Sequence, residues 1–380
     1  MNTAHFPAHI RGLSHISACG LSLRDAVCTV QNQQAPHIVS HRLPPPLDYD
    51  APYYAINYVN ADWQQRKNYL LTQCLTECAI SSGLSIDALR THTILLASSA
   101  LNVGAGEQNF PHLQTLNLSS IANDLCTLLD WQGPALTIST ACTSSLNALL
   151  FAQRLIASGG AEHVTIIGLD LFNRTALAGF GGMGLLSANN MKPFDQQRDG
   201  MVLGEAVAGI VLSRHPHPNK PSCLLLGGAQ FLDKAHQTGL KEDGSSVITL
   251  LQQCLANSGL QSSDITYIKA QASGSALNDL AEAQGLAMLF DTNTKIASLK
   301  AYLGHCLGAS GLAELTLLLG CAEAGFLPGT RGLQHADPLL PLQPLREHFL
   351  LENQTHHLLC NILGFGGSLS SIAVRIGPKQ

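Results

Sequence analysis

Two side chains in this 380-residue chain sit where they could do covalent chemistry: Cys142 and His305. Cys142 lies in Ser139-Thr140-Ala141-Cys142-Thr143-Ser144-Ser145, at a predicted strand-to-helix junction. There its sulfur would face unpaired backbone N–H groups and the positive end of the helix dipole, which favour a thiolate and lower the thiol pKa. A thiolate is the form that attacks a carbonyl carbon. The same position also suits a structural thiol, the ordinary use of a buried cysteine. His305 follows Gly304 in Ser298-Leu299-Lys300-Ala301-Tyr302-Leu303-Gly304-His305-Cys306-Leu307-Gly308-Ala309-Ser310-Gly311. Its glycines and small residues allow a tight turn and close packing beside a reacting group. The plainer alternative is that His305 is one of sixteen histidines, most of them surface or core residues. A third segment, Ile268-Lys269-Ala270-Gln271-Ala272-Ser273-Gly274-Ser275, ends a predicted strand at Gln271. Its amide can donate and accept hydrogen bonds but cannot exchange a proton near pH 7.

Alternating strands and helices must position these residues, which argues for α/β layers. Strands are expected over Ile10 to Cys19, His92 to Ser98, Ala135 to Ser139, Val164 to Gly168, Ser222 to Gly228, Ile265 to Ala270, Ile296 to Leu299 and His357 to Leu363. Helical patterns cover Leu23 to Val27, Gln64 to Ser81, Ile121 to Leu129, Thr143 to Ser158, Val247 to Ser258 and Gly308 to Ala322. Gly159-Gly160 stops the helix that follows Cys142. The proline-rich stretch His41 to Pro52 is expected to be a surface loop. The simplest organisation is two similar α/β halves joined near residue 215, residues 1–215 carrying Cys142 and residues 216–380 carrying Gln271 and His305.

Composition narrows the function classes. Charged residues are only 12% and hydrophobic ones 46%, a balance for a large buried core and an apolar subunit interface rather than disorder. A net charge of -5 without a basic run disfavours nucleic-acid binding. No apolar stretch is expected to reach the roughly 18 residues that span a bilayer, and the N-terminus lacks a signal-peptide pattern. The 11 cysteines are scattered without metal-type pairing, which suits free thiols in a reducing cytoplasm. Cys74 and Cys78, at i,i+4, are expected to be buried thiols rather than a metal site. No phosphate-cradling glycine loop, metal motif or bound cofactor is expected.

The three segments together, in this order, resemble the β-ketoacyl synthases of fatty-acid and polyketide assembly, enzymes that pair one cysteine with two histidines. Further matching pieces are Pro193-Phe194-Asp195, Arg198-Asp199-Gly200-Met201-Val202-Leu203-Gly204-Glu205, Phe180-Gly181-Gly182-Met183 and Leu363-Gly364-Phe365-Gly366-Gly367-Ser368. The likeness runs from about Ile10 to Arg375, with residues 41–63 shortened and divergent. In the family that divergent region contributes to the dimer and carrier-protein face. The resemblance makes Cys142 the nucleophile position. It makes His305 the histidine that donates to the malonyl thioester carbonyl and favours the enolate formed on loss of carbon dioxide. Lys300 and Glu314 become a buried supporting pair. Phe365 becomes the gate over the nucleophile, Phe180 to Met183 a loop lining the acyl pocket, and Arg198 to Glu205 a structural segment whose buried Glu205 needs partners. Gln271 occupies the place of the other catalytic histidine, in a segment the family writes Ala-His-Gly-Thr-Gly-Thr; Asn278, Asp279 and Glu282 follow as in the family.

What the resemblance implies is a thiolase-like fold with five α-β-α-β-α layers built from two pseudo-symmetric halves, and a dimer whose subunits complete each other's acyl tunnels. It also implies acyl carrier protein as a partner, with substrates carried on its phosphopantetheine arm. Losing a proton-transferring group typically costs about 10²–10⁴-fold in rate, so weakened or absent condensation is expected. One reading is a non-condensing subunit of the chain-length-factor kind, as in type II polyketide and aryl-polyene systems, paired with a complete ketosynthase as a heterodimer. Another is a homodimeric β-ketoacyl synthase working through Cys142, Gln271 and His305, since aromatic-polyketide chain-length factors usually lack the cysteine that is present here. A third is acyl transfer or thioester hydrolysis through Cys142 and His305.

Overall fold

The computed structural model describes residues 7–108, 117–234 and 239–378. Ten strands form the main sheet: β1 (Ala8–Ser17), β2 (Thr93–Ala97), β3 (Ala135–Ile138), β4 (His163–Asp170), β5 (Ala206–Ser213), β6 (Cys223–Leu232), β7 (Ile265–Lys269), β8 (Lys295–Ala297), β9 (His356–Leu363) and β10 (Ser368–Ile376). Their spatial order is β8-β7-β9-β10-β6-β1-β5-β4-β2-β3. Within β1 to β5 the order is first, fifth, fourth, second, third, and β6 to β10 repeat it. The sense of pairing repeats as well: two antiparallel neighbours, then two parallel ones. Among the described residues, the two five-stranded units pair through Ala8–Leu225 and His9–Leu224.

Helices fill the layers on and between these units. They are α1 (Leu23–Gln31), α2 (Trp63–Ser82), α3 (Ser120–Leu129), α4 (Ser144–Ala157), α5 (Arg174–Gly182), α6 (Ser245–Ser258), α7 (Ala276–Leu289) and α8 (Ser310–Ala324). α2 packs outside the first unit against β1 and β5, and α6 outside the second against β6 and β10. α4 and α8 lie between the units and touch strands of both. This is the α-β-α-β-α layering of a thiolase-like fold. Each β layer carries helices on both faces, so β4 and β5 are buried along their whole length, as expected for strands covered twice.

α8 is the most enclosed helix, with every residue from Ser310 to Ala322 buried. Leu307–Ala324 is long and apolar enough by composition to cross a membrane, with mean hydropathy 1.3, which corrects the expectation that no stretch would be. In the fold that segment is 89% buried between the two sheets. The proline-rich 41–52 stretch is also corrected. Strands Ile38–Arg42 and Asp50–Tyr54 pair antiparallel on either side of its prolines, and Tyr53 and Tyr54 then pair with Leu203 and Gly204. Phe180 to Gly182 belong to the last turn of α5, with Met183 as its cap, rather than to a loop. Cys74 and Cys78 are buried free thiols on α2.

Candidate active site

Cys142 sits two residues before the first residue of α4, on a backbone bent by Ala141, whose φ of 53° is left-handed for a residue with a side chain. Local hydroxyls hold the bend. Ser144 Oγ donates to the Ala141 carbonyl at 2.6 Å and accepts the Thr140 N–H at 2.9 Å. Thr143 Oγ1 donates to the Thr140 carbonyl at 2.7 Å and meets Ser368 Oγ at 2.8 Å. The thiol is 5% exposed. Burial pushes its pKa above the ordinary cysteine value, while the Phe365 N–H and the Lys300 charge pull weakly the other way. Desolvation is the largest of these influences, and it opposes the lowering expected from the helix N-terminus.

The turn Gly364–Gly367 closes over the sulfur. A Cβ on Gly364 would stand 3.3 Å from Cys142 Cβ, and one on Gly367 (φ 74°) would overlap the Asp233 carbonyl. Only glycines let this turn approach so closely. Phe365 between them stacks on Phe180, with ring centres 5.3 Å apart, and Phe180 lies 6.3 Å from the His305 ring.

His305 is placed by the close approach of two glycines. A Cβ on Gly304 (φ 72°) would fall 2.9 Å from Gly204 N. The Gly204 N–H donates to the His305 carbonyl at 3.0 Å, and the His305 N–H to the Val202 carbonyl at 2.8 Å. Imidazole Nδ1 accepts the Leu307 N–H at 3.0 Å. A neutral ring with Nδ1 so engaged carries its proton on Nε2. Burial, then the charge of Lys300 and that of Lys269, hold the His305 pKa well below the ordinary histidine value. His305 is thus a neutral N–H donor near pH 7, not a base.

Lys300 pairs with Glu314 Oε1, as the sequence suggested. Lys269, unremarked at the end of a strand, pairs with Glu314 Oε2 at 2.7 Å and also donates to the Asn361 carbonyl. Two fully buried lysines therefore share one buried glutamate. The other residue that sequence reasoning missed is Asp170. Its carboxylate accepts from Ser98 Oγ at 2.7 Å and from the N–H groups of Ala100 at 2.8 Å and Ala309 at 3.1 Å, and burial raises its pKa to about 6. The signal for both was an ionisable residue ending an apolar strand, where a charge needs a dedicated partner.

Gln271 hangs from a carboxylate scaffold. Glu282 accepts the N–H groups of Gln271 and Ala272, both at 2.8 Å. Asp279 accepts those of Ser273 at 2.9 Å and Gly274 at 3.1 Å. Burial raises Glu282 to about 7 and Asp279 to about 6. The loop is further tied by the Gly200 N–H donating to the Gly274 carbonyl at 3.0 Å. In the same Arg198 to Glu205 segment, Arg198 pairs with Asp337, and Glu205 finds its partner in Arg66. The Gln271 side chain is 7% exposed, and its Oε1 has no hydrogen-bond partner.

Cys142, Gln271 and His305 line one cavity, walled by Met201, Leu240, Leu363 and Phe365. Its volume is about 20 Å³, room for about one water molecule. Its chemistry is one-sided. The Phe365 N–H, the His305 Nε2–H and the Gln271 amide can donate to an acyl oxygen or an enolate, but the side chains lining it that could act as bases near pH 7 are the scaffold carboxylates Glu282 and Asp279, already engaged by two and three backbone N–H groups. Such a site can stabilise negative charge; it is poorly equipped to move protons. Among the described residues, no group of three or more His, Cys, Asp or Glu is placed to hold a metal ion.

Comparison with known proteins gives two family matches and several similar proteins. Residues 50–217 match the β-ketoacyl synthase N-terminal domain, and residues 223–334 its C-terminal domain. The chain is 29% identical over 315 residues to the chloroplastic 3-oxoacyl-acyl-carrier-protein synthase II of Arabidopsis thaliana, covering 78% of this chain and 57% of that protein. It is 30% identical over 278 residues to the ketoacyl synthase alpha subunit of the tetracenomycin polyketide synthase of Streptomyces glaucescens, covering 68% and 65%. These alignments thus span less than two thirds of either relative. Among solved structures, one of a ketosynthase in complex with its chain length factor from Xenorhabdus doucetiae superposes with a TM-score of 0.83 at 24% identity, over 99% of both chains.

Proposed function

The chain belongs to the β-ketoacyl synthase family, and within it we propose that it serves as a non-condensing, chain-length-factor-type subunit. It pairs with a complete ketosynthase and shapes the tunnel that receives the growing acyl chain. The observation that carries this reading is Gln271, a buried amide with an unpartnered oxygen where the family places a proton-transferring histidine. Two further features support it. The Cys142 thiol is pushed toward its unreactive protonated form, and the cavity of about 20 Å³ beside it is closed down in this conformation to about one water molecule. In this reading, substrates travel on the phosphopantetheine arm of an acyl carrier protein and react at the partner's cysteine.

A second reading rests on a specific observation too. Cys142, the Phe365 N–H and the His305 Nε2–H are all retained, enough to hold a thioester carbonyl beside a sulfur. The chain would then be a working β-ketoacyl synthase in which the Gln271 amide replaces one donor.

A condensation assay separates the two. The purified chain, and its Cys142→Ala form, are incubated with acyl- and malonyl-carrier proteins, and both enzyme and carrier are weighed intact. The partner role predicts no acyl-enzyme and no β-ketoacyl product from the chain alone. It also predicts product that is indifferent to Cys142→Ala once a complete ketosynthase is added. An acyl group on Cys142 together with a β-ketoacyl carrier product would establish the second reading instead.

A further inference from the structure

The layer between the two sheets is not filled to its end. α8 stops at Ala324, where Gly325 in a left-handed conformation turns the chain away. Beyond the pairing of Ala8 and His9 with Leu225 and Leu224, β1 and β6 are no longer partners. A cleft of about 490 Å³ remains there, bounded by β1, the start of β6, the end of β10, the last turns of α8 and residues 351–354. It shares no lining residue with the cavity at Cys142. Its size is that of a small-molecule pocket, and it lies between two structural halves, a common location for one.

The floor is apolar, with Ile10, Leu13, Leu319, Ala322 and Ile376, and Leu351 stands at the rim. Four charged residues also line it, Arg11 and Lys220 against Glu323 and Glu352, and Arg11 Nε donates to the Ser82 carbonyl at 2.7 Å. The signs balance, and among the described residues none of the four takes part in an ion pair. A charged ligand would give up its hydration for a wall carrying both signs in equal number, a poor exchange. An uncharged apolar body gains the floor without that loss. We propose that this cleft binds an uncharged, largely apolar small molecule.

Two dyes with one skeleton test the proposal on the purified full chain. N-phenylnaphthylamine is neutral; anilinonaphthalene sulfonate adds an anionic group. Fluorescence titration is expected to show saturable binding of the neutral dye at one site per chain, at least about ten-fold tighter than the sulfonate. Leu351→Trp, at the half-buried rim, and Ala322→Trp, on the floor, should each abolish it while the melting temperature shows the variant folded. Absence of saturable binding overturns the proposal. So does neutral-dye binding at wild-type affinity in either folded variant, or a sulfonate that binds as tightly as the neutral dye.

Discussion

Restoring a histidine at position 271 is the sharpest perturbation this site allows. Gln271 and histidine are similar in size, and the loop is held through backbone N–H groups by Glu282 and Asp279, not through the glutamine side chain. Gln271→His should therefore fold. The new imidazole would enter the same buried surroundings as His305, whose ring is kept neutral by burial and the two lysines. It would supply an N–H donor and a nitrogen able to take the Cys142 proton, which no free group at the cavity now does. A general acid or base contributes about 10²–10⁴-fold, or about 3–5 kcal/mol of barrier. On the chain alone, acylation of Cys142 from an acyl-carrier protein, followed by intact mass over time, should rise by that factor. With a complete ketosynthase present, the proposed partner role requires the yield of condensed product to stay the same. A folded Gln271→His chain that acylates within about threefold of wild type would refute the view that the amide limits this site.

Other consequences follow from the same geometry. Alkylation of Cys142 by iodoacetamide should keep accelerating through pH ~9, with no plateau near neutrality, because burial raises this thiol; a plateau below pH 8 would contradict the buried-thiol account. Glu314→Gln leaves two buried ammonium groups without a counter-charge and should lower unfolding free energy in urea by about 3–5 kcal/mol. Lys269→Met leaves one lysine with one glutamate and should cost clearly less; equal losses would mean that the three do not act as a shared cluster. Glu282 binds its proton more tightly folded, at about 7, than unfolded, near the ordinary glutamate value. Its contribution to stability is full below pH ~4.5 and is lost as pH rises through about 7. The stability difference between wild type and Glu282→Gln should fall across that window, and a flat or rising difference would reject the raised pKa.

The places where sequence reading succeeded and failed divide along a physical line. Cys142 and His305 were legible because short segments build their turns: the Ser144 and Thr143 hydroxyls bend the chain at Ala141, and Gly304 admits the close pass of Gly204. The acidity of Cys142 was not legible. It depends on Gly364 and Phe365, more than 220 residues away, arriving over the sulfur and excluding water, and no local pattern encodes that desolvation. β5 and β10 escaped notice for a related reason. Ala206–Ser213 is covered on both faces and has no polar alternation to mark it. Lys269 was hidden in plain sight, since a lysine ending a strand is usually a solvated one; only the fold shows that α8 passes behind it with Glu314.

The repeated strand order makes a stronger point about the site. The two halves share topology without evident sequence identity, so the second unit could be recognised only once β6 to β10 were seen to pair as β1 to β5 do. The candidate site in this chain is assembled across that symmetry. The nucleophile position comes from the loop after β3 in the first unit, and Gln271 from the loop after β7, the second strand of the second unit. His305 comes from the segment after β8, which is the second unit's counterpart of β3. Cys142 and His305 thus stand at equivalent places in the two halves, each just ahead of a central-layer helix, α4 or α8. Each is fixed by the helix that joins the two sheets, whereas Gln271 hangs on a loop held by Glu282, Asp279, Gly200 and Ser298, whose Oγ donates to the Ala272 carbonyl at 2.6 Å. A loop held by backbone hydrogen bonds can change its side chain without disturbing the core, so the residue at position 271 can differ while the scaffold stays intact.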